Sequence, residues 1–212
     1  MEVLVAGGHG QVAQHLLRLL SERGDRARGL VRNPDHAADL EALGAEAVLC
    51  DLETDDPRAH VGGAEAIVFA AGAGPGSGPE RKRTVDYGGA VKLIEAAREL
   101  GVARFAIVSS MGTDDVEHAD EPMRPYLLAK RDADGALRES GLDWTIVRPG
   151  RLTDAPGTGR VDAARALGRR GEITREDTAL VLLEALHQPS TIRVAFDVLE
   201  GPTPVAEALR GL

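Results

Sequence analysis

Short apolar runs alternate along the chain with longer segments in which apolar residues recur every three or four positions. Seven of these runs have the length of a buried strand: Val3 to Ala6, Ala27 to Val31, Ala45 to Cys50, Ala66 to Ala70, Phe105 to Ser109, Trp144 to Val147 and Val194 to Leu199. Strands that alternate with helices build parallel sheets covered on both faces. The pattern therefore predicts an α/β fold with a doubly wound parallel sheet of about seven strands.

Helices are predicted where the apolar spacing is three or four. This spacing occurs in the segments 12–20, 90–100 and 129–137. Thr174 and Asp177 stand three positions apart just before another apolar run, and this is the pattern of a capping box at the start of a helix. The predicted helices therefore lie between the predicted strands, as βαβ units require.

Length, composition and charge narrow the classes of function. The 212 residues predict one domain, 1–212, in which residues 150–172 form a loop region on the substrate side. The chain has 25 Lys and Arg against 34 Asp and Glu, a net charge of −9, and its aromatic residues are one Trp, two Tyr and three Phe. An acidic chain with few aromatic rings is a poor partner for nucleic acid. Because no run approaches the roughly 18 apolar residues of a membrane span, we expect a cytoplasmic monomer or homodimer that acts on a small-molecule substrate.

Cysteine and histidine give no sign of a metal site. The single Cys50 ends an apolar run and is interpreted as a buried core residue. The six histidines are scattered, with neither an HExxH pattern nor a cysteine cluster. The sequence predicts a protein without a bound metal.

The first candidate site follows the first strand directly. Gly7-Gly8-His9-Gly10-Gln11-Val12-Ala13 leads without a gap into the first helix. Glycines permit a tight turn and let backbone N–H groups approach a pyrophosphate at the positive end of a helix. Ala13 stands where a third glycine would allow the closest packing, and alanine is an accepted variant. A glycine turn without a ligand is the alternative, but the context favours a dinucleotide site formed by Gly7, Gly8, His9, Gly10, Gln11 and Val12.

The end of the second predicted strand indicates which dinucleotide is bound. A protein specific for NAD carries an acidic residue there, which binds the ribose 2′-hydroxyl, whereas this chain has Arg32 and Asn33. A guanidinium group matches the 2′-phosphate of NADP, so the sequence predicts NADP(H), with a solvated arginine as the alternative. After the third strand, Asp51 and Leu52 could contact the adenine, although an aspartate there is just as often a turn former.

Two loops rich in Gly and Pro follow predicted strands, at 72–79 and 149–159. Loops at the carboxyl ends of parallel strands form ligand sites in doubly wound sheets. Ala71 and Gly72 are therefore candidate cofactor residues. The charged run from Glu80 to Arg83 behind them predicts a solvated helix face rather than a phosphate clamp.

Hydroxyl groups and a Tyr–Lys pair mark a second candidate site. One strand ends in Ser109 and Ser110, and Tyr126 and Lys130 stand four positions apart on one face of a predicted helix. An ammonium group beside a phenol favours the phenolate and makes the phenol a usable proton donor near neutral pH. Such a pair also arises by chance as an interfacial tyrosine and a surface lysine. The pair follows a strand that ends in hydroxyl groups, in a chain that also has a dinucleotide-binding motif. This context favours catalysis by Ser110, Tyr126 and Lys130, with Ser109 and Lys130 also near the cofactor.

The chain resembles the atypical short-chain dehydrogenase/reductases, in the NAD(P)H-binding branch related to NmrA-like proteins and biliverdin/flavin reductases. The resemblance spans nearly the whole chain and rests on the order of these segments: GGHGQVA, LVRNP, CDLE, FAAGAG, RFAIVSSMG, YLLAK, SGLDWTIVRPGRLTD and ITREDTA. It implies a Rossmann fold, an NADP(H) site at Gly7 to Val12 and Arg32, and a place for Pro149 beside the nicotinamide. It also implies that Ser110, Tyr126 and Lys130 occupy the catalytic positions of the wider superfamily.

These expectations combine into an NADPH-dependent reductase that transfers a hydride to a small carbonyl, quinone or flavin-type acceptor. Tyr126 would give the proton, Lys130 would bind the nicotinamide ribose and tune Tyr126, and Ser110 would hold the substrate oxygen. One alternative is a non-catalytic NADP(H)-sensing regulator of NmrA-like type. Another is a nucleotide-sugar epimerase or dehydratase, although such enzymes usually carry a sizeable substrate domain and about sixty residues follow Arg151.

Overall fold

The computed structural model describes residues 1–74, 76–121 and 123–212. The strands within these residues are β1 (Glu2–Ala6), β2 (Arg26–Val31), β3 (Glu46–Leu49), β4 (Ala66–Phe69), β5 (Arg104–Val108), β6 (Asp143–Pro149), β7 (Arg151–Thr153), β8 (Arg160–Ala164), β9 (Glu172–Thr174), β10 (Val194–Glu200) and β11 (Thr203–Pro204). The seven predicted strands correspond to β1 to β6 and β10.

These seven strands run parallel in one sheet, in the order β3-β2-β1-β4-β5-β6-β10. The strand order reverses between β1 and β4, because β2 and β3 extend the sheet on one side of β1 and the later strands extend it on the other. Beyond the carboxyl ends of the strands, such a switch point leaves a crevice. The arrangement is Rossmann-like, and the predicted fold class is confirmed.

The expected number of about seven strands is too low, because the described residues hold four more. β8 pairs antiparallel with β10 and β11 with β8, which gives the main sheet nine strands, while β7 and β9 pair separately. β7, β8 and β9 have three to five residues and mix charged with apolar side chains, and β11 has only two residues, a threonine and a proline. Since no apolar run marks them, the hydrophobic pattern misses them. β7 and β8 lie inside the segment 150–172 that the sequence predicts as loop.

The helices within the described residues are α1 (Gln11–Arg23), α2 (Ala37–Ala42), α3 (Arg58–Val61), α4 (Pro79–Arg81), α5 (Ala90–Glu99), α6 (Arg124–Glu139), α7 (Arg175–His187) and α8 (Val205–Arg210). The three segments of helical spacing fall in α1, α5 and α6. At the start of α7 the predicted cap is present, because the Thr174 hydroxyl accepts the Asp177 N–H at 2.9 Å. Between α4 and α5 the chain passes through a π-helical stretch, Lys82–Gly89.

β1 shows how the sheet is buried on both faces. Val3 and Val5 pack into the core that contains α1 and α7, whereas Leu4 and Ala6 pack into the core that contains α5 and α6. All four side chains are fully buried. A strand covered on both faces is a continuous apolar run, so this part of the sheet leaves room for polar chemistry at the edge where the strands end.

Candidate functional site

A groove opens at the carboxyl ends of β1 to β4, at the switch point of the sheet. Its volume is about 240 Å³. Leu30, Val31 and Val85 give it apolar walls. The predicted cofactor residues that line it are Gly7, His9, Gly10, Arg32, Asp51, Leu52, Ala71 and Gly72. Loops that are distant in sequence therefore meet in one place.

The glycine turn is shaped by its close approach to the loop after β4. Gly7 has a φ of +78°, and a Cβ at this position would lie 2.6 Å from the Cα of Ala71. The Gly10 N–H closes the turn on the Gly7 carbonyl at 2.8 Å, and the Gly8 N–H donates to the Leu30 carbonyl at 2.9 Å. Gly10 has an ordinary φ of −68°. Space rather than conformation favours glycine there, because a Cβ would lie 3.1 Å from the Gly7 oxygen, a tight contact that the turn would have to adjust to accept.

Helix α1 begins immediately after this turn with its first N–H groups uncapped. Gly10 provides no side-chain cap, and the first turn carries no acidic residue. The first N–H groups of a helix have no intrahelical acceptor and form the positive end of its dipole. Gln11 and Val12 therefore present backbone donors beside the groove. The turn fits a pyrophosphate, which is the group that a dinucleotide would bring to it.

Two arginines line the groove and share one carboxylate. Arg32 Nη1 lies 3.9 Å from Glu53 Oε2, and Arg81 Nη2 lies 3.3 Å from the same oxygen. Both guanidinium groups are partly exposed, so an anion in the groove could reach them. Arg81 belongs to the charged run predicted as a solvated helix face, and its side chain is 40% exposed. At the end of α4 it also lines the groove and donates to Glu53.

Asn33 and Asp51 also shape the turns that follow β2 and β3. Asn33 Oδ1 accepts the Asp35 N–H at 3.1 Å and caps a short 3₁₀ turn. Asp51 lines the groove while its Oδ1 accepts the Glu53 N–H at 3.0 Å. Its side chain therefore forms the turn that the sequence offers as the alternative to an adenine contact. Leu52 is buried and forms part of the apolar wall.

Cys50 is buried, as the sequence predicts, and its side chain belongs to the wall of the groove. Burial raises the pKa of the thiol to about 11, and the nearby Asp55 and Asp51 add to the shift. A thiol with so high a pKa stays neutral at physiological pH. Cys50 is therefore a wall residue rather than an activated nucleophile.

The second candidate site lies where β5 and β6 end. The Met111 N–H donates to the Pro149 carbonyl at 3.1 Å and holds the two strand ends together. The Ser110 hydroxyl donates to the Met111 carbonyl, also at 3.1 Å. Tyr126 and Lys130 share one face of α6, and Lys130 Nζ lies 5.7 Å from the centroid of the Tyr126 ring. The structure brings the three predicted catalytic residues to the same edge of the sheet.

Lys130 is held by a carboxylate that the sequence analysis misses. Its Nζ lies 3.3 Å from Asp86 Oδ1 and donates to the Val108 carbonyl at 3.0 Å. Lys130 is 4% exposed and Asp86 is 1% exposed. Burial opposes the charge on Lys130, but Tyr126 and Asp86 outweigh it and raise the pKa of the ammonium group. The ammonium group is therefore a buried charge close to the Tyr126 ring.

Asp86 also joins this site to the groove. Its Oδ2 accepts the Ala73 N–H at 3.0 Å. A Cβ on Gly72, which lines the groove, would lie 3.1 Å from Asp86 Oδ1. Asp86 belongs to the π-helical stretch, and such stretches are frequent at functional sites. Asp86 follows the charged run from Glu80 to Arg83, so nothing in the local sequence distinguishes it from its polar neighbours.

A second buried carboxylate, Asp134, lies one turn beyond Lys130 on α6. Its Oδ2 accepts the Ser109 hydroxyl at 2.7 Å. Burial raises the pKa of Asp134 to about 6, although the bond from Ser109 opposes the shift. Tyr126, Lys130 and Asp134 recur every fourth residue, and this spacing puts them on one helix face. The hydroxyl of Ser109, a predicted cofactor residue, is directed to Asp134.

Arg148 connects the loops on the other side of β6. It is buried, its Nε lies 2.9 Å from Asp197 Oδ1, and its Nη2 donates to the Arg165 carbonyl at 2.7 Å. It also pairs with Asp114, which lies between β5 and α6. Pro149, expected beside the nicotinamide, is buried directly after Arg148 in β6.

The sheet order, the glycine turn and the open helix start define an NAD(P)-binding protein of the Rossmann class. The chain belongs to the NAD(P)H-binding family, whose model matches residues 7–189. It is 43% identical over 215 residues to a Bacillus subtilis protein named an uncharacterized sugar epimerase, YhfK, with 100% of each chain covered.

Two solved structures are also similar over the whole chain. One is a Bacillus halodurans protein provisionally assigned as an NAD-dependent epimerase/dehydratase, which is 41% identical with a TM-score of 0.97 and 100% of each chain covered. The other is the oxidoreductase ylbE of Lactococcus lactis, which is 26% identical with a TM-score of 0.86, covering 100% of this chain and 96% of the other. The family and these relatives support a nicotinamide cofactor.

Among residues 1–74, 76–121 and 123–212, no helix is long and apolar enough to cross a membrane. The same residues contain no group of three or more His, Cys, Asp or Glu side chains arranged to hold a metal ion. The cytoplasmic location, the single domain and the choice between monomer and homodimer stay predictions.

Proposed function

We propose that the protein is an NADPH-dependent reductase that transfers a hydride to a small carbonyl, quinone or flavin-type acceptor. The observation that carries this proposal is the Tyr126–Lys130 pair, with Nζ 5.7 Å from the ring centroid. The pair lies at the same edge of the sheet as the glycine turn. A buried ammonium group stabilises negative charge that develops on a nearby oxygen during proton transfer, and this is the role that the proposal gives to Lys130 beside Tyr126.

The bound nicotinamide cofactor supplies the hydride. Tyr126 gives its phenolic proton to the substrate oxygen as negative charge develops there. Lys130, fixed by Asp86, stabilises the phenolate that remains. Ser110 exchanges its hydrogen bond to the Met111 carbonyl for one to the same substrate oxygen. The burial of Lys130 favours this electrostatic role over the direct contact with the nicotinamide ribose that the sequence predicts.

The preference for NADP(H) rests on Arg32, which stands where an NAD-specific protein carries an acidic residue. Arg81, which also lines the groove, adds a second guanidinium group that can pair with a phosphate. Arg32→Ala should narrow the ratio of NADPH to NADH affinity about tenfold, which corresponds to about 1.4 kcal/mol. Arg26→Ala, an exposed arginine at the opposite end of β2, should leave the ratio unchanged. Equal affinities for NADPH and NADH in the unmodified protein would contradict the preference.

Catalysis is tested by NADPH oxidation against a panel of small carbonyls, quinones and flavins. On a carbonyl substrate, Tyr126→Phe should lower kcat at least about tenfold, because a positioned general acid typically contributes 10² to 10⁴ in rate. Tyr87→Phe is the matched control, since Tyr87 belongs to the π-helical stretch and not to α6, and its ring packs against the Arg83 guanidinium group. If Tyr126→Phe keeps full turnover, the proton comes from solvent and reduction of a flavin or quinone replaces the carbonyl mechanism.

A non-catalytic NADP(H)-sensing regulator is the second candidate function. The hydrogen bond from Ser110 to Met111 and the ion pair of Lys130 with Asp86 favour it, because both groups already have partners inside the protein. A sensor would bind NADPH tightly and oxidise it with none of the acceptors. The same panel therefore separates the two functions.

An epimerase or dehydratase acting on a nucleotide sugar is the third candidate, favoured by the names of two similar proteins. Against it, the described residues after Arg151 mostly complete the main sheet and its helices, as β8, β10, β11, α7 and α8. A nucleotide-sugar substrate converted without net oxidation of added cofactor would select this function.

A further inference from the structure

Two imidazole rings stack in the wall of the groove. His9 comes from the glycine turn, and His36 comes from the 3₁₀ turn Pro34–His36 that follows β2. Their ring centroids lie 3.5 Å apart, and the rings are inclined by 10°. His9 Nε2 lies 2.9 Å from Asp39 Oδ2 on α2. Because both rings line the groove, the pair forms part of the surface that a ligand meets.

The charged and titratable groups around the pair come from each wall of the groove. Asp39 holds His9 from α2, and Arg32 stands at the end of β2, four residues before His36. Asp51, Glu53 and Arg81 line the same groove, as does the neutral thiol of Cys50. Glu53 is paired with both arginines. Asp39 is therefore the carboxylate bonded to the histidine pair itself.

The geometry limits how many protons the pair can carry. Histidine changes its charge between pH 5 and 8, but two imidazolium rings stacked at 3.5 Å repel each other. Asp39 places a carboxylate oxygen 2.9 Å from one ring of the pair, His9. A second proton on the pair needs another negative group close by. A phosphate dianion in the groove beside Arg32 would supply one.

We infer that the stacked His9–His36 pair is a binding site for the adenosine 2′-phosphate and that it takes up a proton when the phosphate binds. Binding of NADP(H) draws a proton onto the pair, whereas binding of NAD(H), which lacks this phosphate, does not. The pair therefore determines cofactor specificity together with Arg32, and its contribution increases as the pH falls. This inference rests on the proposed preference for NADP(H).

The test is isothermal titration calorimetry of NADP⁺ and NAD⁺ in buffers of different ionisation enthalpy. At about pH 7.5 a free phosphate monoester is already mostly dianionic, because its second ionisation lies near pH 6. Proton uptake then reports the protein. We expect NADP⁺ to take up about half a proton or more beyond NAD⁺, so that the affinity ratio rises roughly fivefold from pH 8 to pH 6.5.

Substitutions locate the proton. His36→Asn and His9→Asn should each abolish the extra uptake and flatten the pH dependence of the NADP⁺ to NAD⁺ affinity ratio. His118→Asn is the matched control, because His118 pairs with an aspartate on an exposed turn away from the groove. It should leave the extra uptake unchanged.

The outcomes separate this inference from the proposed function. Tight, preferential binding of NADP⁺ with the same proton uptake as NAD⁺ overturns the assignment of the 2′-phosphate site to the histidine pair and leaves the NADP(H) preference intact. Equal affinities for the two dinucleotides overturn both the preference for NADP(H) and the histidine site for the 2′-phosphate. If the extra uptake survives both histidine substitutions, the proton binds elsewhere and the assignment to this pair is wrong.

Discussion

Helices α1 and α7 have 13 residues each and pack against each other, yet their first turns are built in opposite ways. α1 begins at Gly10 with neither a side-chain cap nor an acidic residue. α7 begins at Thr174, whose hydroxyl accepts a backbone N–H, and carries Glu176 and Asp177 in its first turn. Both helix starts have the same orphan N–H groups and the same positive dipole end. The chain fills one start and leaves the other open.

The acids of α7 also bind the preceding loop. Asp177 accepts the Thr158 N–H at 2.9 Å and the Gly159 N–H at 2.8 Å, while Glu176 accepts the Gly157 N–H at 2.9 Å. These carboxylates put negative charge at the positive end of the α7 dipole, where an external anion would otherwise be stabilised. A helix start is therefore a candidate ligand site when its own chain has left it unfilled, and this is the difference between the two helices.

The largest expected effect comes from breaking the filled start. Asp177 is 1% exposed and accepts two loop N–H groups, so Asp177→Ala removes two charge-assisted hydrogen bonds and leaves their partly buried donors without this acceptor. We expect a loss of about 3 kcal/mol in the free energy of unfolding, measured by urea denaturation. Asp177→Asn, which keeps one acceptor, should lose less. NADPH affinity of the folded protein should stay unchanged, and a stability loss below about 1 kcal/mol would show that the carboxylate is not the anchor.

The second effect comes from filling the open start. Gly10→Asp gives α1 a capping carboxylate in the place proposed for the pyrophosphate, so NADPH affinity should fall about 100-fold, or roughly 2.7 kcal/mol. Stability should change by less than about 1 kcal/mol, because the gain from an aspartate cap opposes the tight contact of the new Cβ with the Gly7 oxygen, at 3.1 Å. Gly10→Asn matches the shape without the charge and should lose less affinity. Unchanged NADPH affinity in Gly10→Asp would place the phosphates elsewhere.

The difference between the two helix starts could be predicted from the sequence, because each depends on a few adjacent residues. Gly7 to Gly10 and Thr174 to Asp177 are local patterns, and the seven parallel strands are uninterrupted apolar runs. The structure confirms those strands and the cap at α7. Such features can be predicted without tertiary information, because the residues that determine their hydrogen bonds and their apolar character are adjacent in the sequence.

The other groups of the site depend on contacts between segments distant in sequence. Arg81 reaches Glu53 across 28 residues, and Lys130 meets Asp86 across 44. No local pattern distinguishes Arg81 from its charged neighbours. The sequence does not predict β8 and β11 for a related reason, since these segments become strands by pairing at the edge of the sheet that the other strands form.

The third effect concerns the cap itself. Thr174→Ala removes the hydroxyl that accepts the Asp177 N–H at 2.9 Å, and the loss of an N-cap typically costs about 1 kcal/mol. Thr174→Ser should recover most of that stability, because serine is at least as good a cap. The α1 start has no side-chain cap to lose, so this dependence belongs to α7. A stability of Thr174→Ala equal to that of the parent protein would mean that the Thr174 cap contributes nothing.

The smallest effect is the pH dependence that Glu176 gives to the filled start. The Gly157 N–H holds the pKa of the Glu176 carboxyl below its usual value of 4.5, with help from His15 and Arg18. The unfolded chain therefore binds a proton at a higher pH than the folded protein does, so this contribution is present above about pH 4.5 and is lost as the pH falls through the lowered pKa. Because the carboxyl is partly exposed and solvent screens it, the contribution should be below about 1 kcal/mol.

Glu176→Gln should make the plot of unfolding free energy against pH shallower between about pH 3 and pH 5. Glu22→Gln is the matched control, because Glu22 also pairs with Arg18 but belongs to α1 and makes no bond to the loop. If Glu22→Gln flattens the plot as much as Glu176→Gln does, the pairing with Arg18 explains the pH dependence. If only Glu176→Gln flattens it, the bond to Gly157 is responsible, and the acidic first turn of α7 is stabilised by the loop that it holds.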